Sequence, residues 1–261
     1  MQNERTTLGG IALSTAGVLR RKGLMLALLA LVLGAGPPIA ALWASRFAGG
    51  YGLFGLVPRE SWVVVAARWV GMAAAVASIA AVVLADLQGG GGSWRTVAQK
   101  TLRRWLPMVL FTLPLSLPHL TGSLTATLLI AGSVGNASPF YLLIAFSQFV
   151  LLAFAAVYGL AAPVLMQERG GFIRSLWRAW RLAAGARGTL VGLALIWGLT
   201  PEPAGLLFSL SSRALAMPLL PYLFDAGHAL WNGVWVAALS VVYLKQRRVL
   251  GQLPAVGEVF A

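Results

Sequence analysis

The chain has 261 residues, 59% of them hydrophobic and only 10% charged, against roughly 45–50% and about 25% in soluble domains. No water-soluble fold of this size has an interior large enough to hide that much apolar surface, so the composition excludes an ordinary soluble domain and points to an integral membrane protein. The absence of cysteine excludes disulfides, thiolate metal sites and a cysteine nucleophile, while the formal net charge of +13 would suit nucleic acid in a soluble protein and must first be located along the chain.

A spanning helix needs about 20 mostly apolar residues. Six segments qualify: Gly23–Trp43, Trp62–Leu87, Trp105–Leu129, Phe140–Met166, Gly188–Leu210 and Ala226–Leu244. Arg20, Arg21 and Lys22 precede the first as in a signal peptide, but the run continues to Trp43 with no small-x-small cleavage site, so it reads as an uncleaved span. It is expected to bend at Pro37 and Pro38. In the second, the small residues of Gly71–Ala85 permit close helix approach, inside the bundle or at a homo-oligomer face. Asp86 closes that span as an interfacial acid, with Arg95 or Arg103 as candidate partners. Gln88–Ser93 then supplies a glycine-rich break with Ser93 as a candidate N-cap. The third span carries Pro107, Pro114 and Pro118, and the fifth is interrupted at Pro201 and Pro203 with Glu202 between them. Each of these two reads as a kinked helix or as a short helix plus a re-entrant piece.

Basic residues set the orientation. Arg5, Arg20, Arg21, Lys22, Arg95, Lys100, Arg103, Arg104, Arg169, Arg174, Arg178, Arg181, Arg187, Lys245, Arg247 and Arg248 all fall on one side of this arrangement, 16 of the 20 Lys and Arg; Arg46, Arg59 and Arg213 fall on the other, and Arg68 lies within a span. Short loops rich in Lys and Arg stay inside, so both termini are expected in the cytoplasm. The same distribution removes most of the case for nucleic acid.

Three segments resemble one another: GGIALSTAGVLRRKGLMLALL from Gly9, GGSWRTVAQKTLRRWLPMVLF from Gly91 and GGFIRSLWRAWRLAAGARGTL from Gly170. They suggest a single membrane domain of three units, about 9–90, 91–169 and 170–250, each a surface helix followed by two spans. Positive-inside bias alone gives the same appearance. On a wheel of about 100° per residue, Arg174, Arg178 and Arg181 fall within about 60° of one another and Phe172, Ile173, Leu176, Trp177, Ala179, Trp180, Ala183 and Ala184 fill the opposite arc. In Trp94–Trp105 the aromatic and aliphatic residues likewise separate from Lys100, Arg103 and Arg104. Cations on one face and tryptophans on the other are what a helix lying among lipid headgroups requires. Arg95, Lys100, Arg103, Arg104, Arg174, Trp177, Arg178, Trp180 and Arg181 are therefore candidate contacts to anionic lipid.

The stretch APVLMQERGGFIRSLWRAWRLAAG from Ala162 resembles the membrane domain associated with glycerophosphoryl diester phosphodiesterases and the related bacterial YciC-like integral membrane proteins. Pro163, Val164, Glu168, Gly170, Arg174, Ser175, Trp177, Arg181 and Leu182 match that pattern. GGGGSWRTVAQKTLRRWLP fits its Gly-x-x-Ser, helix, Leu-Pro element, and VVYLKQRRV resembles its exit from the last span, without the usual Asp after the Tyr. The resemblance implies six helices, basic cytoplasmic helices and a bacterial inner membrane. It implies no activity, since in the fused enzymes the chemistry belongs to a separate soluble domain.

The seven acids, Glu4, Glu60, Asp86, Glu168, Glu202, Asp225 and Glu258, are scattered, and only His119 and His228 join them. That leaves no carboxylate–histidine cluster, no phosphate-binding loop and no implied metal or cofactor. Intramembrane polar residues are the remaining candidates: Arg68, Glu202 and Asp225. Arg68 lies close enough to the outer end of its span to reach the interface, or it pairs with Glu202 or Asp225; a pair at the proline break would resemble a transporter site. His228, one helical turn from Asp225, reads as a hydrogen-bonded interfacial residue. The expectation is an all-α polytopic bundle of about six spans with amphipathic interfacial helices on the cytoplasmic side. It is expected to be no enzyme but a scaffold or accessory subunit that contacts the lipid bilayer, anionic lipid, and a membrane-protein partner or a second copy. The alternative is a small transporter with a path near the broken fifth span.

Overall fold

The computed structural model describes residues 6–47, 62–89, 94–116, 138–168, 170–199 and 220–251. Every element in them is helical. Pro118, Ser93, and Pro201, Glu202 and Pro203 lie outside them, as do the outer ends of the expected third and fifth spans. Among the described residues four helices are long and apolar enough to cross a membrane, and a fifth crossing results if one bent pair counts as a single span. This is the composition expected of a multi-pass membrane protein.

Helix α1, Leu8–Leu29, starts where the Thr7 hydroxyl accepts a hydrogen bond from the Gly10 amide at 3.2 Å, a side-chain cap that satisfies one of the orphan donors. It continues through a π-helical turn, Ala30–Ala35, into α2, Gly36–Phe47. The basic stretch and the apolar stretch of the expected first span are thus one continuous helical run, with the π turn directly before Pro37 and Pro38. Forty residues at 1.5 Å each make it about 60 Å long, roughly twice a bilayer's hydrocarbon thickness. The π turn has a physical cause. A proline lacks the N–H that would bond the carbonyl four residues back, and its ring crowds that carbonyl; one extra residue in the turn before it makes room. The Leu33 carbonyl, which Pro37 cannot serve, rests against Gly71 of the next helix, so closely that a methyl at Gly71 would lie 2.5 Å from the oxygen.

That next helix, α3 (Trp62–Leu87), is the hub. It packs against α1, the π turn, α2, α4 (Trp94–Thr112), α6 (Ala161–Gln167) and α9 (Leu220–Val249). The small residues expected to permit close packing do so inside the bundle: Ala73, Ala75, Ala77, Ser78, Ala80 and Ala81 are all buried. With lipid tails as apolar as leucine, such contacts hold helices together through close van der Waals fit rather than by exclusion from water. Three interior hydroxyls are satisfied locally: Thr112, Ser116 and Ser240 each donate to a carbonyl four residues back.

Helix α4 is also a single piece, running from the basic Trp94 stretch across Pro107 to Thr112, with a 3-10 turn at Pro114–Ser116. The expected fourth span, by contrast, is broken. Helix α5, Ser138–Tyr158, ends at Gly159, and α6 leaves at 45°. Pro163 offers no N–H to the Gly159 carbonyl, and a methyl on Gly159 would lie 2.5 Å from the Ala155 oxygen and 3.1 Å from Leu239. The short α6 is buried along its length from Ala161 to Met166. Beyond Gly170 and Gly171, α7 (Phe172–Ala183) passes through one 3-10 turn into α8 (Arg187–Leu199), so this basic stretch too is continuous with the apolar helix that follows it. Helix α5 packs on α7 and α8, and Gly198 lets the Leu152 side chain approach to where a methyl would be 2.3 Å away.

The contact at Gly71 gives the first prediction. Gly71→Ala forces a methyl against the rigid Leu33 carbonyl and costs about 1–3 kcal/mol, as overpacking of tight cores does, measured by denaturant unfolding in detergent. Gly9→Ala, where a methyl meets open space, leaves stability within about 0.5 kcal/mol.

Candidate functional site

Polar side chains gather at two ends of the bundle. Arg68 and Asp86 mark them on α3, 18 residues and therefore about 27 Å apart. The end that holds Asp86 is the basic one.

At the basic end Glu168 terminates α6 in extended geometry, with its amide bonded to the Val164 carbonyl at 2.8 Å. Its carboxylate accepts a hydrogen bond from the Tyr243 hydroxyl at 3.2 Å and faces the Arg178 guanidinium at 3.5 Å. Arg247, one turn further along α9, donates to the Tyr243 oxygen at 3.2 Å. Arg104 of α4 binds the Glu168 and Gly170 carbonyls at 2.9 and 3.1 Å. Four helices, α4, α6, α7 and α9, therefore meet on one link. The start of α1 is fastened to the same end: Lys245 donates to the Gly10 carbonyl at 3.1 Å, Gln246 to the Thr6 hydroxyl at 2.7 Å, and the Thr189 hydroxyl to the Thr6 carbonyl. Asp86 pairs with Arg21 of α1 at 2.8 Å, not with Arg95 or Arg103; α1 packs against α3, which brings Arg21 to that acid.

The expected lipid-facing residues separate into two sets. Arg95, Lys100 and Arg103 are exposed along α4, whereas Arg104 is half-buried and spent on carbonyls of the link. On α7 the two faces read from the wheel become three. Ser175, Ala179, Leu182 and Ala183 pack on the bundle; Ile173 (80% exposed), Trp177 and Trp180 point outward; Arg174 and Arg181 are exposed on the remaining side, with Arg178 half-buried. The Arg181 guanidinium lies 5.2 Å from the Trp177 ring centre and that of Arg187 5.2 Å from the Trp180 ring centre, geometry in which cation and ring attract. A cavity of about 380 Å³ opens between Glu168, Gly170 and the α7 side chains Arg174, Ser175, Trp177, Arg178 and Arg181.

At the other end Arg68 pairs with Asp225 at 3.1 Å, with 21% and 10% of their side chains exposed. His228, Asn232, Gly34 and Gly233 line a cavity of about 30 Å³ beside this pair, room for about two water molecules. The Asn232 amide oxygen accepts from the Trp197 indole at 2.7 Å, and Trp197 stacks on Trp235 at 4.3 Å between ring centres. Asn232, Trp197, Glu168 and Tyr243 were not singled out by the sequence as members of these clusters. The available signals were an amide in an apolar run, a lone acid beside many arginines, and the i, i+4 spacing of Tyr243 and Arg247. No group of three or more His, Asp or Glu able to hold a metal occurs among the described residues.

Two predictions follow from this geometry. Arg104→Ala removes two charge-assisted hydrogen bonds and costs about 2 kcal/mol, with faster proteolysis of the link at 168–171, while Arg103→Ala, one residue away and exposed, stays within about 0.5 kcal/mol. Asp225→Ala leaves a half-buried guanidinium unpaired and costs about 2–3 kcal/mol, whereas the double variant with Arg68→Met recovers most of that loss in detergent unfolding. No protein-family model matches this chain, and no curated protein or solved structure is significantly similar to it.

Proposed function

We propose that this chain is a non-enzymatic multi-pass protein of a bacterial inner membrane, with both termini in the cytoplasm, acting as a scaffold or accessory subunit through its basic helices. The observation that carries the reading is the three-sided surface of α7. One side is fixed to the bundle, one exposes Ile173, Trp177 and Trp180, and one exposes Arg174 and Arg181. An apolar side next to a cationic side on a helix anchored at the end of a membrane bundle suits an inner-leaflet interface, aromatic rings among acyl chains and guanidinium groups among anionic headgroups. The positive-inside distribution of the loops supports a cytoplasmic position for this end. The resemblance of Ala162–Gly185 to the membrane domain of glycerophosphoryl diester phosphodiesterases and YciC-like proteins implies the same basic cytoplasmic helices. A membrane-protein partner or a second copy would meet this end or the exposed apolar flank of α5 at Leu142, Phe146 and Phe149.

A transporter is the second reading, favoured by the Arg68–Asp225 pair beside a π-helical turn. Its expected path near the broken fifth span lies outside the described residues, and the cavity beside the pair is about 30 Å³; the scaffold reading is preferred on the exposed sides of α7.

Lipid retention tests it. The wild-type protein purified in mild detergent from native membranes is expected to carry anionic phospholipid enriched over zwitterionic phospholipid, measured by native mass spectrometry. Charge reversal at Arg174, Arg178 and Arg181 together is expected to abolish that enrichment, at about 1 kcal/mol per cation. Equal enrichment in the triple variant rules the reading out.

A further inference from the structure

The cavity at the foot of α7 is more particular than a basic surface. Three guanidinium groups, Arg174, Arg178 and Arg181, and one carboxylate, Glu168, line it, leaving a net charge of +2 (three minus one). Arg178 is shared with Glu168 at 3.5 Å, whereas Arg174 and Arg181 are exposed. Ser175, at the cavity wall, is 2% exposed and its hydroxyl has no hydrogen-bond partner. A buried hydroxyl left unpaired costs free energy and calls for a partner. Gly171 begins α7 without a side-chain cap, so the positive end of the helix dipole faces the same place. Gly170 lies beside the same groups: a methyl there would be in ordinary contact with the Ser175 oxygen at 3.4 Å and the Arg174 side chain at 3.8 Å. The volume of about 380 Å³ lies within the range of small-ligand sites.

We propose that this cavity is a binding site for a phosphate monoester dianion, with Arg174, Arg178 and Arg181 on its oxygens and the Ser175 hydroxyl as a further donor. A phosphomonoester carries about −1.5 to −2 at neutral pH and so matches the net charge of the lining; a phosphodiester headgroup carries a single charge and leaves half of it unanswered. Guanidinium forks suit tetrahedral oxyanions through paired, charge-assisted hydrogen bonds. The same chemistry is presented by the headgroup of a phosphatidic-acid-type lipid and by a free phosphate. Glu168 competes for Arg178, and when a dianion takes that guanidinium the carboxylate stays with Tyr243, so occupancy of the cavity is coupled to α9. The proposal rests on the reading of α7 as an anionic-lipid contact and narrows it to one headgroup class.

The test uses the full chain in a neutral detergent, with short-chain (dihexanoyl) phosphatidic acid, short-chain phosphatidylglycerol and inorganic phosphate as probes. The phosphatidic acid is expected to bind about tenfold or more tighter than the phosphatidylglycerol, the effect of one additional charge-assisted interaction. Arg174→Gln, at an exposed position, and Ser175→Ala, which removes no paired hydrogen bond, are expected to erase that preference. Glu168→Gln, which removes the one negative charge from the lining, is expected to strengthen it. Competition by inorganic phosphate assigns the site to a soluble phosphate, and binding of phosphatidic acid without such competition assigns it to the lipid; the site stands in both cases. Equal binding of the two lipids, both weakened by Arg174→Gln, overturns the phosphomonoester site and leaves the general anionic-lipid reading intact. No binding of either lipid overturns both.

Discussion

The Glu168 link holds the basic end of this bundle together. Its carboxylate is shared between Tyr243 and Arg178, and its carbonyl and that of Gly170 are held by Arg104. Cations dominate this end, and guanidinium groups left without counter-charges would repel one another and drift apart in solvent. One carboxylate placed where α6 stops gives Arg178 a partner and joins α7 to α9, while Arg104 uses its fork on backbone groups that the end of a helix leaves unsatisfied. The direction of α7 follows from this. Its small-residue side turns to the bundle, and its cations and tryptophans are displayed at fixed angles to it.

The interior obeys a different constraint. In a chain this apolar, burial does not distinguish one packing from another, and shape must do so. Glycine and alanine along α3 let α1, α4 and α9 close on it, and the carbonyl released by Pro37 finds its place only because Gly71 has no side chain. The π turn before the two prolines and the break at Gly159–Pro163 are both solutions to the missing proline N–H. In the first the helix widens and continues; in the second it stops and restarts at an angle. Both places are tight and both use a glycine: Gly71 lies under the Leu33 carbonyl and the Pro37 ring, and Gly159 lies under Leu239 of α9.

Much of this was readable from the residues. The apolar runs at Trp62–Leu87 and Ala226–Leu244, the small-residue stripe, and the basic stretches before the apolar helices all follow from composition and period. Arg68 pairs with Asp225, one of the two acids considered for it, because both sit near the same ends of their helices. The remainder depended on distance in sequence. Arg21 and Asp86 are 65 residues apart and Glu168 and Tyr243 are 75 apart, and no local period encodes which cation reaches which acid. The wheel of α7 sorted its residues by polarity but carried no information on which of the apolar ones would be covered by protein. That division separates Ala179 and Leu182 from Trp177 and Trp180. The continuity of the basic and apolar stretches was hidden for a related reason: a charged turn in a helix looks like a boundary in sequence, yet nothing in backbone geometry makes it one.

The central claim is that α7 is a fixed part of the bundle, held through Glu168, and not a loosely tethered surface helix. Amide hydrogen exchange in nanodiscs tests it directly. In the wild-type protein the amides of α7 should be protected to within about tenfold of those of the buried α6, and Glu168→Ala should release α7 while leaving α3 protected, as expected when a locally anchored unit loses its anchor. Exchange of α7 at the rate of an unstructured peptide in the wild type, or protection of α7 that is indifferent to Glu168→Ala, would contradict the account.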